Sequence, residues 1–512
     1  MKAQLSDVES GNSGPFGLSR RPQIGNFVDY FVLKSPPFPM PTPTNTSSPS
    51  PHPNGSLSDL PIPDFTLLGA GLVGSLLSVY LRRRGYTVAV YERRPDPRAT
   101  GAYAGRSINL ALSARGIEAL KKVGIDQEIL RTAMPMKGRT MHSTSGSTTF
   151  QPYGKEGEHI YSVSRGGLNQ TLMSLAEQAG ARLHFGQRCA QVEPQQKHIL
   201  LEIPGQPAHQ PVEYRRLVGT DGAYSALRDY LMHSDRFDYS QDYLPHGYKE
   251  LTIPPCADGS FALSPDSLHI WPRGTYMMIA LPNPDRTFTC TLFFPFDGNP
   301  SFSSLQEPED IHNFFRHQFP DALALMPELV EEYRRNPTAS LVTVRCAPWN
   351  LGGDHLLMGD AAHAIVPFYG QGMNCGFEDV RVFDELIDTY RADWNQIFPA
   401  FGALRKPSAD AIAELAKANF IEMRDKVADP EFLLRKRIEA RISEQYPAQW
   451  TPLYSMVTFR PDVPYHVALQ RGKMQDEWMD RLMSQGNWHR DFGTPALDEA
   501  IAAGMEHYEE GK

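Results

Sequence analysis

The clearest hydrophobic pattern begins at Asp64. Phe65-Thr66-Leu67-Leu68 is an apolar run of strand length. A glycine turn follows over Gly69 to Gly74. Leu76 to Arg84 then places apolar residues at helical spacing until Gly85 ends it. Thr87-Val88-Ala89-Val90-Tyr91 is a second strand-like run. Strand, helix and strand in this order predict a β-α-β unit with a parallel sheet and a right-handed crossover. Further on, Ser113 to Val123 and Leu168 to Ala179 read as helices, and Arg182-Leu183-His184-Phe185 as a strand.

The period changes in the middle of the chain. From about Tyr248 to Phe296 the pattern is strand-rich, with alternation in Tyr276 to Leu281 and Phe288 to Phe293. Such strands suit an antiparallel sheet covering a pocket. Beyond Phe377 the pattern is mostly helical, and no internal repeat is visible.

Composition sets the limits. A chain of 512 residues, 41% apolar and 21% charged, suits a soluble globule of about two or three units. A formal charge of −9 argues against a nucleic-acid binder. Cys189, Cys256, Cys290, Cys346 and Cys375 are scattered without a Cys-x-x-Cys pair, which suits buried thiols in a reducing compartment and no metal site. No apolar run approaches the roughly 18 residues of a membrane span, so no integral anchor is expected. The tail from His466 to Lys512 reads as polar and charged. Ser35 to Pro63 holds ten prolines among Ser, Thr and Asn. It is expected to be a disordered extension or linker. A ligand for an SH3-type domain at Pro36–Pro43 is the alternative.

Three motifs carry chemistry. The first is Gly69-Ala70-Gly71-Leu72-Val73-Gly74 between strand and helix. Its glycines serve a tight turn, a close approach of backbone to pyrophosphate, and helix–strand packing. The free helix N–H groups hold the phosphate. Glu92 ends the second strand, where a carboxylate accepts from ribose hydroxyls; Arg93 and Arg94 follow it. The second motif is Leu217-Val218-Gly219-Thr220-Asp221-Gly222 through Arg228, for which an Asp-Gly hairpin is the structural alternative. It resembles the Asp-Gly fingerprint of flavoprotein hydroxylases, with Thr220 where those proteins usually have Ala. The third is Leu356-Leu357-Met358-Gly359-Asp360-Ala361-Ala362-His363, continuing through Pro367 and Gly370-Gln371-Gly372-Met373-Asn374. It resembles the second FAD fingerprint of the same group. Asp360 is placed to bind a ribityl hydroxyl, and Gly372, Met373 and Asn374 open a helix toward the isoalloxazine. His363 is expected to pack or hydrogen-bond. The fold class is therefore α/β, with an FAD-binding Rossmann-like domain interleaved with an antiparallel-sheet substrate domain and followed by a helical C-terminal region.

Over residues 64 to about 470 the chain resembles the kynurenine 3-monooxygenase family. The segments carrying this are Arg106 to Leu112, Pro135-Met136-Lys137-Gly138-Arg139, Pro245 to Leu251, Leu268-His269-Ile270-Trp271-Pro272, and Leu453 to Phe459. The resemblance implies hydroxylation of L-kynurenine at ring carbon 3, with FAD tightly bound, NADPH and O₂ as co-substrates and a flavin hydroperoxide as oxidant. It assigns no acid or base, because the flavin carries the chemistry and the ring amino group activates the attacked carbon. By position it implies that Arg139, Tyr153, Asn419 and Tyr454 hold the amino-acid carboxylate, with Glu422 and Met423 beside them. Leu268, Met277, Ile279, Leu281, Thr291 and Phe293 match the ring pocket. Pro367, Phe368 and Gln371 match the loop between flavin and substrate. Ala111 and Arg165 join the cofactor set. Phe420 stands where the family commonly has Tyr.

The expected layout is a 1–63 extension, an FAD-binding domain over 64–240 and 346–400, a substrate sheet domain over 241–345, and a helical region over 401–512. Eukaryotic members of the family carry a C-terminal membrane segment; this tail has none, so a cytoplasmic protein is expected. The sequence allows a homodimer but does not fix the subunit number. The competing readings are a hydroxylase for another arylamine acid, a flavin-dependent halogenase, which lacks its Trp-x-Trp-x-Ile-Pro segment here, and a non-catalytic flavoprotein scaffold.

Overall fold

The structure, a computed structural model, describes residues 61–100, 108–426, 429–506 and 508. The Pro-rich stretch up to residue 60, Arg106, Ser107 and the closing Glu509–Lys512 lie outside them.

The β-α-β unit forms as the pattern dictates. Strands Phe65–Leu68 and Val88–Glu92 pair in parallel around helix Leu72–Arg83. This helix starts earlier than the apolar spacing suggests, because Leu72 and Val73 enter it directly from the glycine turn. Every residue of both strands is buried, as in a parallel sheet covered on two faces. The sheet has six strands, in the order Asn350–Leu351, His355–Leu357, Leu217–Gly219, Phe65–Leu68, Val88–Glu92 and Arg182–Phe185; only the first pair is antiparallel. The second motif therefore leaves the strand beside the first, and the third leaves the strand one further out on the same side.

A second sheet has seven strands. Its order is Ala339–Ala347, Asp238–Ile253, Phe288–Pro295, Met277–Pro282, Ser267–Pro272, Gly138–His142 and Thr148–Pro152. The strand Asp238–Ile253 starts ten residues before Tyr248 and runs for 16 residues. Two of the strands come from early in the chain, and Gly138–His142 pairs in parallel with Ser267–Pro272, setting Arg139 opposite Leu268. Alternation divides this sheet. One face packs Trp271, Met278, Ala280, Phe288, Cys290, Leu292 and Phe294 against helices Pro308–Gln318 and Leu329–Arg335. The other turns Leu268, Met277, Ile279 and Phe293 toward the later helices.

The C-terminal part is helical, including Trp394–Ile421, Pro430–Gln445, Leu453–Phe459 and Tyr465–Ser484. The tail is not polar throughout: Trp478, Leu482, Trp488, Leu497 and Ile501 are buried in a cluster with Trp450 and Ile438. Their spacing hides them among charged neighbours. All five cysteines are free, and Cys256 is exposed rather than buried.

Candidate flavin and substrate site

The glycine turn is a backbone cradle. Gly69 has φ +95°, and a Cβ there would lie 2.8 Å from the Asp221 Cα. A Cβ on Gly74 would meet the Gly69 carbonyl oxygen at 2.1 Å, whereas one on Gly71 would meet nothing within 4 Å. Packing thus forbids side chains at two positions and leaves open space at the third. Helix Leu72–Arg83 begins there with no side-chain cap and no acidic residue in its first turn. Its first N–H groups are left for an anion. Glu92 is buried and accepts from the Ala70 N–H and from Arg94 N and Nε, each at 2.8 to 3.0 Å. Burial raises its carboxyl, but the Arg94 contacts and the Ala70 amide outweigh that and hold it below the usual carboxylate range. An ionised Glu92 is fixed beside the turn with lone pairs left for hydroxyl donors. Arg93 and Arg165 are exposed.

Thr220 has a role the sequence did not reveal. Its hydroxyl lies 2.8 and 2.9 Å from the carbonyls of Leu68 and Gly69, joining the second motif to the first. Asp221 leaves the strand into a short 3-10 turn, Gly222–Tyr224, and not a hairpin; its Oδ2 accepts from the Ala226 N–H at 2.7 Å. Asn169 donates to the Ala70 carbonyl at 3.1 Å from the side.

The third motif is exposed on one side and tied down on the other. Asp360 is exposed at the start of helix Asp360–His363. Gly370, at φ +67°, turns the chain into helix Gly372–Thr389, where the Gly372, Met373 and Asn374 amides form the free first turn. The Asn374 side chain is fully engaged: it donates to Ala111 O and Gly370 O, both at 2.8 Å, and accepts from Ser113 N at 2.9 Å. Gln371 accepts from the Tyr465 hydroxyl at 2.9 Å. Behind them lies a buried ion network. Arg115 and Arg405 pair with Glu378 at 2.8 and 2.7 Å; Arg405 and His363 pair with Asp379 at 2.8 and 2.6 Å. Burial disfavours charge on His363, yet Asp379 raises it well above the ordinary histidine range. His363, Cys375 and Asp379 come within 4.8 Å of one another, but Arg405 already neutralises this carboxylate. Sequence reading missed Arg115, Glu378 and Asp379; the available signal was charge at positions in phase with the apolar residues of their helices.

Beside the apolar sheet face, four separate elements converge. Strand Gly138–His142 brings Arg139, and helix Leu453–Phe459 brings Tyr454. Helix Trp394–Ile421 brings Asn419, and its π-helical continuation, Glu422–Lys426, brings Glu422 and Met423. Tyr153 follows strand Thr148–Pro152. The Arg139 guanidinium lies 4.7 Å from the Tyr454 ring centre and 5.4 Å from that of Tyr153; the two rings stack 5.3 Å apart. Among the described residues Arg139 has no carboxylate within ion-pair distance. Its buried Nε and the Tyr153 hydroxyl make no hydrogen bond of good geometry. Burial opposes the charge on Arg139, but its surroundings (Tyr454, Tyr153, Glu422) keep it firmly cationic, and burial raises both phenols. One cation beside two neutral hydroxyls is an arrangement able to take up a carboxylate. Asn419 is turned partly away, donating to Phe368 O at 2.7 Å.

Between this cage and the flavin side, Leu268, Met277, Ile279, Leu281, Thr291 and Phe293 sit on one face of the sheet, with Ile279 opposite Thr291 and Met277 opposite Phe293. Pro367–Tyr369 forms a 3-10 turn above them, and Phe368 lies 4.8 Å from Phe293. Phe420 stacks on Phe368 at 4.1 Å and meets His246 edge-on.

A glycine cradle, an acidic strand end, a second free helix N-terminus and an apolar sheet face define the class: a flavoprotein of the aromatic-hydroxylase fold. The FAD binding domain family matches residues 64–415. The solved tetrameric form of 2-methyl-3-hydroxypyridine-5-carboxylic acid oxygenase superposes with TM-score 0.58 at 18% identity, covering 72% of this chain and 94% of that one. The kynurenine 3-monooxygenase of Christiangramia forsetii is 47% identical over 86% of this chain and 98% of its own length; that of Myxococcus xanthus is 50% identical over 81% and 90%. The chain belongs to the kynurenine 3-monooxygenase family. Among the described residues no helix is long and apolar enough to cross a membrane.

Proposed function

We propose that this protein hydroxylates L-kynurenine to 3-hydroxy-L-kynurenine, consuming NADPH and O₂. The observation that carries the substrate assignment is Arg139: a cation without a carboxylate partner among the described residues, set beside the stacked rings of Tyr153 and Tyr454 next to the apolar face of the seven-stranded sheet. In this reading Arg139 binds the amino-acid carboxylate with both tyrosine hydroxyls, and Asn419, Glu422 and Met423 line the same end. The sheet face and Phe368 hold the aryl ring and exclude water. FAD, when bound, supplies the activation of O₂ and its transfer to the ring. Gly71 to Gly74, Glu92, Asp221 and Asp360 would hold it, while the Gly372–Asn374 amides stabilise negative charge on its ring system. The substrate's own amino group activates the attacked carbon, so no side chain is required as base. The expected setting is the cytoplasm, checked by fractionation, and a homodimer is checked by sizing the holoenzyme.

The test is product identification. Purified holoprotein with L-kynurenine and NADPH yields the 3-hydroxy product by chromatography; flavin-replete protein that yields none overturns the proposal. Turnover of an arylamine acid lacking the amino-acid carboxylate, unaffected by Arg139→Ala, would favour the competing hydroxylase reading.

A further inference from the structure

On the back of the substrate sheet, opposite Arg139, lies a buried polar cluster that the reaction does not use. His142 ends strand Gly138–His142, and His269 sits in the adjoining strand Ser267–Pro272. Both are buried. His142 Nδ1 is 2.7 Å from Asp321 Oδ2, His142 Nε2 is 2.9 Å from His269 Nδ1, and His269 Nε2 is 2.8 Å from the Ser264 carbonyl oxygen. Trp271 donates its indole N–H to Asp321 Oδ2 at 2.9 Å, and its ring stacks on His142 with centres 4.1 Å apart.

The two ends of this chain of hydrogen bonds decide its proton count. The Ser264 carbonyl only accepts, so His269 Nε2 carries a hydrogen. An ionised Asp321 only accepts, so His142 Nδ1 carries one too. A third lies between His142 Nε2 and His269 Nδ1. Two neutral imidazoles hold two such hydrogens, so the pair holds one extra. Protonating Asp321 would also complete the chain. Burial does push its carboxyl up, but hydrogen bonds from His142 and Trp271 outweigh this and hold it below the usual range. Burial, aided by the charge of His142, lowers His269 to about 4, although the Ser264 carbonyl opposes this. The extra proton therefore sits on His142, stacked on an indole face as a cation favours. Arg273 is the other charged group here, donating to the His142 carbonyl at 3.0 Å.

We propose that His142 and His269 share one buried proton facing Asp321, and that this charged clasp fixes strand Gly138–His142 against Ser267–Pro272 and so positions Arg139. The positioning half rests on the reading of Arg139 as the carboxylate's partner. The clasp and Arg139 share one short strand, with Arg139 in register with Leu268. Loosening His142 at the strand end displaces Arg139 on the opposite face.

The test is Asp321→Asn in the holoenzyme. The new amide donates to His142 Nδ1 while its carbonyl accepts from Trp271, so two neutral rings complete the chain. In ¹⁵N-histidine-labelled protein at neutral pH, the wild type shows an imidazolium signal that D321N lacks. At the same pH, KM for L-kynurenine rises about threefold or more in D321N, while kcat stays close to wild type. His269→Gln keeps the cation, since the glutamine carbonyl accepts from His142 Nε2, and keeps the wild-type KM. Neutral rings in the wild type, equal KM in wild type and D321N, or identical behaviour of D321N and H269Q would overturn the proposal. An Arg139→Ala variant with unchanged KM would instead remove the carboxylate reading and leave the NMR result standing.

Discussion

The glycine cradle and the cage around Arg139 are built from different materials. The cradle is mostly backbone: absent Cβ atoms at Gly69 and Gly74, open space at Gly71, and the first turns of two helices. Its pieces lie in short local motifs. The cage is all side chain, and Arg139, Tyr153, Asn419 and Tyr454 come from four elements spread over more than 300 residues of chain. A backbone site fails abruptly when a single atom is added. A side-chain site fails in proportion to the hydrogen bonds removed.

The largest expected effect therefore belongs to the cradle. Gly74→Ala pushes a methyl to within 2.1 Å of the Gly69 carbonyl and 2.5 Å of the Thr220 hydroxyl. Flavin absorbance of the purified protein should be essentially lost; full retention would show that the turn yields where packing says it cannot. Next comes the network behind the cradle. Asp379→Asn strands His363, leaves Arg405 with Glu378 alone, and should cost about 3–5 kcal/mol, read from denaturant midpoints. The same network gives a pH signature. Burial raises Asp379 and Glu378, but their cationic partners outweigh it and hold both below the ordinary range. Their stabilisation is complete above the unfolded carboxylate pKa near ~4 and is lost as pH falls through the folded values. Thermal melts on acidification should show this, and D379N should shrink it.

The cage should respond more gradually. Arg139→Ala removes a charged hydrogen-bond pair with the substrate, worth about 3 kcal/mol or roughly 100-fold in KM. Arg139→Lys should recover part of it, having the charge without the planar fork. Equal losses in kcat and kcat/KM, with KM unchanged, would move Arg139 from binding to the chemical step. Thr220→Ala should cost about 1 kcal/mol in stability of the flavin-bound form, for its shared hydrogen bond to Leu68 and Gly69. The smallest effect is expected from Phe420→Tyr, which keeps the ring stacked on Phe368 and should change KM by about twofold or less.

The contrast in materials also explains what the chain revealed when read as letters. The β-α-β unit and its glycines were legible because backbone requirements write themselves locally: only glycine fits at φ +95° with a Cα 2.8 Å from its missing Cβ. The alternating strands 277–281 and 288–293 were legible for the same reason, with period 2. Arg139 alone reads as a surface arginine, and only likeness to a family singled it out. The strand Gly138–His142 inserts beside Ser267–Pro272, more than a hundred residues away, and nothing local announces that pairing. Arg115, Glu378 and Asp379 stayed hidden because charge on a helix normally signals solvent. The buried tryptophans 478 and 488 were masked by charged neighbours in a segment that counted as polar.

The two-faced substrate sheet has a consequence for how this scaffold can diversify. Residues 277, 279, 281, 291 and 293 share the face proposed to meet the substrate, while 278, 280, 290, 292 and 294 knit the sheet to its supporting helices. Because successive side chains point in opposite directions, the chain stores recognition and architecture in alternating letters of the same words. Evolution or an engineer can rewrite the odd letters for a different ring and leave the even ones, and hence the fold, intact.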